Sequence, residues 1–284
     1  MKRKIPIPVH AAAFILCLIA SGASAAVKQS EISVKLAMTH DVYVEGERLR
    51  AVIDVSNSSP DSIDCLGQGS SDKLFVELFR ASDQHSFDRI DDKPFTAGFA
   101  LLPGEGQKLE TFVGDHFLID KCTRYLARAV LVHGGMRFES TLKSFNVVPG
   151  IPGASALQMF SNRDGLQRRF ELVHIGRNQL EHIFLKARDE GTSSRRWRTT
   201  DLGPVLRLTP PKISISPKGE VTVLHRASQD KFLYSVFWSL PDELEFQTKE
   251  VMSDPEVVGA ERMRELYKEA GGLEPVRKAW WKFW

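Results

Sequence analysis

Short apolar runs, each closed off by glycine, proline, asparagine or serine, constrain this chain more than any other feature of its sequence. Runs at 34–38, 49–55, 74–79, 125–132 and 138–148 are of strand length and rich in Val, Ile, Leu, Phe and Tyr. Turn-forming segments separate them, such as Glu45-Gly46-Glu47 and Leu102-Pro103-Gly104-Glu105-Gly106. After residue 26 no apolar run approaches the roughly 20 residues that a membrane-spanning helix requires. A chain punctuated in this way is expected to be all-β, with strands stacked into sandwiches.

The first 25 residues stand apart. Lys2, Arg3 and Lys4 precede the apolar run 11–20, and Ala23-Ser24-Ala25 supplies the small side chains that a signal peptidase accepts. Residues 1–25 are therefore expected to be an export signal, cut before Ala26. The apolar run is too short to remain as an anchor. The expected destination is the periplasm or the extracellular space.

The chain has 38 basic and 36 acidic residues. Three of the basic ones lie in the signal, so the remainder is close to neutral, which argues against a general nucleic-acid binder. Two cysteines remain after the signal, Cys65 and Cys122. An even pair in an exported chain predicts a disulfide. Closing a loop of that size contributes about 4 kcal/mol by chain entropy.

Residues 26–149 form the first expected domain. Tyr43-Val44-Glu45-Gly46-Glu47 before an alternating strand, Leu102-Pro103-Gly104 before a late one, and Tyr125-x-Ala127-x-Ala129 follow one another in an order that resembles bacterial immunoglobulin-like sandwiches. The resemblance implies that Tyr125 packs at a corner of the sandwich. It does not extend to the antibody disulfide, because Cys65 follows the early strand and no tryptophan precedes Cys122. Such sandwiches carry no inherent chemistry.

Pro149-Gly150-Ile151-Pro152-Gly153 predicts a linker over 150–165, and 166–252 read as a β-meander. The segment 211–225 resembles the hairpin of β-propeller blades, including sialidase-like repeats, although Ser216 stands where such repeats carry an acid. The domain is too short to close a propeller, which takes at least four blades. It is expected to form an open sheet packed on the first domain, or to complete a core with a second copy. Residues 253–284 are expected to form a short helix and then an aromatic-basic tail.

Few residues point to chemistry. With Ile175 facing Leu180 across a turn at 176–179, His174 and His182 lie on opposite faces of the sheet, so no metal site is expected. Asp91-Asp92 and Asp242-Glu243 are carboxylate pairs of the kind a glycosidase uses, with solvated loop acids as the plainer alternative. There is no Gly-x-Ser-x-Gly elbow and no glycine-rich phosphate loop, and no cofactor is expected.

Two segments suit binding. Arg195, Arg196, Trp197 and Arg198 place three guanidinium groups around an indole, which suits a sugar, a phosphate or a carboxylate. The plainer alternative is a mobile loop whose tryptophan covers a neighbouring strand. Trp280, Trp281, Lys282, Phe283 and Trp284 combine aromatic and cationic side chains, which suits a protein groove or a membrane interface. The sequence thus favours a non-catalytic binding or assembly protein of the cell envelope, with a protein or glycan as partner. Two rivals are a carbohydrate-active hydrolase and a protein held at a membrane surface by its tail.

Overall fold

The computed structural model describes residues 31–66, 70–160, 166–191, 196–241 and 243–253. The expected signal and the expected helix and aromatic tail lie outside the described residues. What is described is all-β, with one short 3-10 turn at Val113–Asp115.

In chain order the first half contains β1 (Ile32–Met38), β2 (Val42–Val44), β3 (Arg50–Asn57), β4 (Ile63–Asp64) and β5 (Lys73–Arg80). β6 (Ala100–Leu101), β7 (Gly106–Phe112), β8 (Arg124–His133), β9 (Met136–Glu139) and β10 (Lys143–Val148) follow. One sheet runs β1-β3-β7. The other runs β2-β10-β8-β5, with β9 hairpinned onto β8. β4 and β6 form a separate short ladder.

Alternation explains why the two sheets stack. Along β1, Ile32, Val34 and Leu36 are buried while Ser33 and Lys35 face water. Ala51, Ile53 and Val55 do the same on β3, and Tyr125, Ala127, Ala129 and Leu131 on β8. These side chains form a single core between the sheets. The Tyr125 and Phe145 rings stack at 5.6 Å, and the Tyr125 hydroxyl donates to the Lys121 carbonyl at 2.8 Å.

The expected disulfide does not form, and both thiols are free. Asp72 acts on the Cys65 thiol and is bonded to His133, at the far end of β8. Cys122 lies two residues before Arg124, where β8 begins. A ten-residue strand spans roughly 30 Å, and a disulfide requires Cα atoms within about 7 Å. Burial, reinforced by Asp72 and Asp64, pushes the Cys65 thiol up to about 12.

The second half begins earlier than the sequence suggests. β11 (Ile151–Met159) occupies most of the expected linker and pairs with β12 (Gln167–Arg177). Only Pro149 and Gly150 join the halves, and Gly150 takes φ +80° with Val173 packed where a Cβ would stand. β13 (Leu180–Glu190) and β14 (Arg198–Pro204) complete an antiparallel meander in the order β11-β12-β13-β14. β15 (Lys212–Ile215), β16 (Glu220–Arg226), β17 (Lys231–Leu240) and β18 (Glu243–Ser253) form a second one.

The two meanders face each other. Phe170, Leu172, Ile183, Leu185 and Ala187 of the first pack on Val221, Val223 and Phe237 of the second. This unit therefore closes its own core, rather than leaving an open sheet to be covered by a second copy. Arg168 closes one end. Its guanidinium grips Asp189 and donates to Ser239 Oγ at 3.0 Å and the Leu240 carbonyl at 2.8 Å, tying the meanders together.

A candidate binding cleft between the two sandwiches

The turn after β2 carries the junction. Gly46 takes φ +82°, Glu47 N–H donates to the Val44 carbonyl, and the Glu47 carboxylate receives Val44 N–H. The turn projects Glu45 and Glu47 toward the outer face of the first meander. There Arg177 meets Glu47 with two parallel hydrogen bonds of 2.9 and 2.7 Å, and also donates to the Val42 carbonyl. Lys186 meets Glu45 at 2.9 Å.

The Arg177 and Lys186 side chains are each only 3% exposed. Buried cations of this kind are tolerated only when paired and hydrogen-bonded. An apolar cluster of Val44, Val173, Ile175 and Phe184 packs among them. The first meander therefore uses both faces, one on the second meander and the other on the first sandwich.

This junction positions the arginine–tryptophan segment. Thr199 N–H donates to the Gly46 carbonyl at 3.1 Å, and Thr199 Oγ1 to the Glu45 carbonyl at 2.6 Å. Trp197 is pressed so closely on Gly46 that a Cβ there would lie 2.4 Å from the Trp197 carbonyl oxygen. Lys186 and Arg188 both place their cations 4.4 Å from the Trp197 ring centre. Trp197 is thus a fixed part of the junction.

Beside it opens a cleft of about 610 Å³. The first sandwich contributes Arg48, Phe117, Leu118 and Ile119, and the second contributes Arg188, Arg196 and Trp197. A smaller hollow of about 240 Å³ shares Arg188, Arg196 and Trp197 and extends to Arg168, Asp189 and Arg198. The first volume lies in the range of small-ligand sites.

Of the residues singled out from sequence, Arg196, Trp197 and Arg198 come together here. Arg195, Asp242 and Trp280, Trp281, Lys282, Phe283 and Trp284 lie outside the described residues. Asp91 is bonded to His116 at 2.9 Å and to Arg89 at 3.3 Å. The turn between β12 and β13 is shorter than expected, with Asn178 and Gln179 at φ 51° and 66°, so Ile175 faces His182 and His174 faces Ile183. The two rings are on opposite faces, and His182 is bonded to Asp201.

Glu45, Glu47, Arg177 and Lys186 did not stand out in the sequence. Lys186 alone carried a signal, as a cation set between Leu185 and Ala187 in an apolar strand. At the junction, burial and then Arg177 lower the pKa of His40. Burial, followed by Glu45, raises that of the Cys122 thiol.

No family model matches the chain, and no curated protein matches it. Among solved structures, the Pseudomonas fluorescens alkylpurine DNA glycosylase AlkC, bound to DNA containing an abasic site analog, is 16% identical. That match covers 41% of this chain and 30% of the glycosylase chain, with a TM-score of 0.29. Spo0M, a sporulation control protein from Bacillus subtilis, is 12% identical over 84% of this chain and 97% of its own, with a TM-score of 0.28. Similarity at this level carries no argument about fold or function.

Proposed function

We propose that this chain is an exported, non-catalytic binding protein that holds its ligand in the cleft between its two sandwiches. One observation carries the reading. The arginine–tryptophan segment lines a cleft to which both sandwiches contribute, and buried ion pairs fix the surfaces on either side. Preformed sites of this kind bind without the cost of ordering their walls. The hydrolase reading gains nothing from Asp91, whose carboxylate is already engaged by His116 and Arg89.

The first sandwich is read as immunoglobulin-like. The parallel pairing of β2 with β10 and the Tyr125 hydroxyl bonded four residues back both support this. Each meander of the second sandwich has the up-and-down order of a propeller blade.

The test is retention on arrays of immobilised glycans and peptides, with the full chain and Trp197→Ala compared. A ligand held by the native protein and lost by a variant with an unchanged melting temperature supports the cleft. Equal retention by both proteins would remove the cleft from the function. Export is checked separately by the mass of the mature protein, expected to begin at Ala26.

A further inference from the structure

We propose that the cleft takes an anionic saccharide, a short sugar chain bearing carboxylate or phosphate groups. This rests on the cleft being the binding site, and deepens that reading by naming the ligand class.

The argument starts from charge pairing around the cleft. Among its acids, Glu45 is taken by Lys186, Glu47 by Arg177 and Asp115 by Arg48. Asp189 in the adjoining hollow is gripped by Arg168. The cations are not matched in return. Arg188 has Glu190 only at 3.9 Å, and that carboxylate is already bound by Arg169 at 2.5 Å. Arg196 and Arg198 are exposed, and neither forms an ion pair among the described residues. Asp120, at the exposed rim, is the acid that remains. Arg188 and Arg196, which line both hollows, and Arg198, which lines the smaller one, thus have a single exposed carboxylate against them.

Geometry narrows the class from any anion to a chain of anionic units. The two hollows share Arg188, Arg196 and Trp197, which sets two adjoining spaces against the same cations, as a ligand of more than one unit would use. Arg188, stacked on Trp197, has its planar fork held in place, which suits bidentate capture of a carboxylate or phosphate. Leu118, 43% exposed, and Ile119 form an apolar wall that fits the C–H face of a sugar.

An acidic peptide is less well matched. Extended peptides gain much of their affinity by adding a strand to a free edge. Here the nearest edge is engaged beside the cleft, because Thr199 N–H donates to the Gly46 carbonyl and residues 47 and 199 form a parallel bridge.

The experiment is calorimetric titration of the full chain with four probes: a tetragalacturonate, a phosphorylated disaccharide, a neutral galactose tetramer and an acidic octapeptide. The native protein is expected to bind one or both charged sugars at least tenfold more tightly than the neutral one, and more weakly as salt rises. The better charged probe distinguishes carboxylate from phosphate. Arg196→Ala is expected to lower affinity about tenfold, while Arg196→Lys retains part of it. Both side chains are exposed at this position, and unchanged melting temperatures confirm intact folds. Preference for the neutral tetramer, lost in Trp197→Ala, would overturn the anionic class and leave the cleft standing. Preference for the octapeptide would overturn the saccharide. Failure of all four probes would overturn the saccharide proposal, and the array comparison with Trp197→Ala then judges the cleft by itself.

Discussion

His225 shows how a single buried side chain sets a response to pH. It is 1% exposed on β16, and among the described residues the Pro204 backbone is the one polar group that acts on its ring by hydrogen bonding. Burial, reinforced by Lys249, lowers its pKa from about 6.5 to about 4. The unfolded chain therefore takes up this proton first as pH falls. The stability tied to a neutral His225 is complete above about pH 7, declines between roughly 6.5 and 4, and is gone below that. A shift of this size corresponds to about 3 kcal/mol. His40, lowered by burial and Arg177, and His174, lowered by burial and Arg207, act in the same direction. Urea unfolding at pH 7.5 and pH 5 should show a clear loss in the native protein and a smaller one in His225→Leu. Asn57 makes a different point. Asn57-Ser58-Ser59 has the spacing of a glycan acceptor, yet the Asn57 amide is buried and donates to the Asp61 and Leu101 carbonyls. It is therefore closed to modification in the folded chain.

The strands were largely legible because alternation is a local property. A period of two along β1, β3 and β8 reports directly which side chains face a core. The ends of elements were less legible. β11 begins inside a segment containing two prolines and two glycines, because an edge strand tolerates residues without a donor and because β12 supplies its partners. The turn at 45–47 was visible as a turn, but not as the joint between the sandwiches. Its glycine is required twice, by the positive φ and by the Trp197 carbonyl above it. Gly46→Ala should therefore lower stability by roughly 2 kcal/mol or more. It should also displace Trp197, which near-ultraviolet circular dichroism reads. An unchanged spectrum at full stability would show that Trp197 is not held by this turn.

The junction between the sandwiches is where the candidate site is decided. Arg177 and Glu47 are buried partners, and removing the Glu47 charge leaves Arg177 with Asp201 at 3.2 Å and the Val42 carbonyl. Glu47→Gln is expected to cost about 1.5 to 3 kcal/mol, the worth of a hydrogen bond to a charged group. It should also broaden or split the guanidinium unfolding transition, because one of the two ion pairs that couple the sandwiches is lost while Lys186–Glu45 remains. One unshifted transition would show that the junction contributes little. By itself the sequence determined the all-β class and the approximate positions of most strands. Both follow from local periodicity, turn chemistry and composition. Only the tertiary structure decided that Cys65 and Cys122 stand apart, that two meanders bury each other, and that Glu45 and Glu47 meet Lys186 and Arg177. Those pairings join residues more than 120 positions apart. No local pattern encodes which buried cation will find which acid, because the desolvation that makes the pairing obligatory exists only once the two sandwiches have packed.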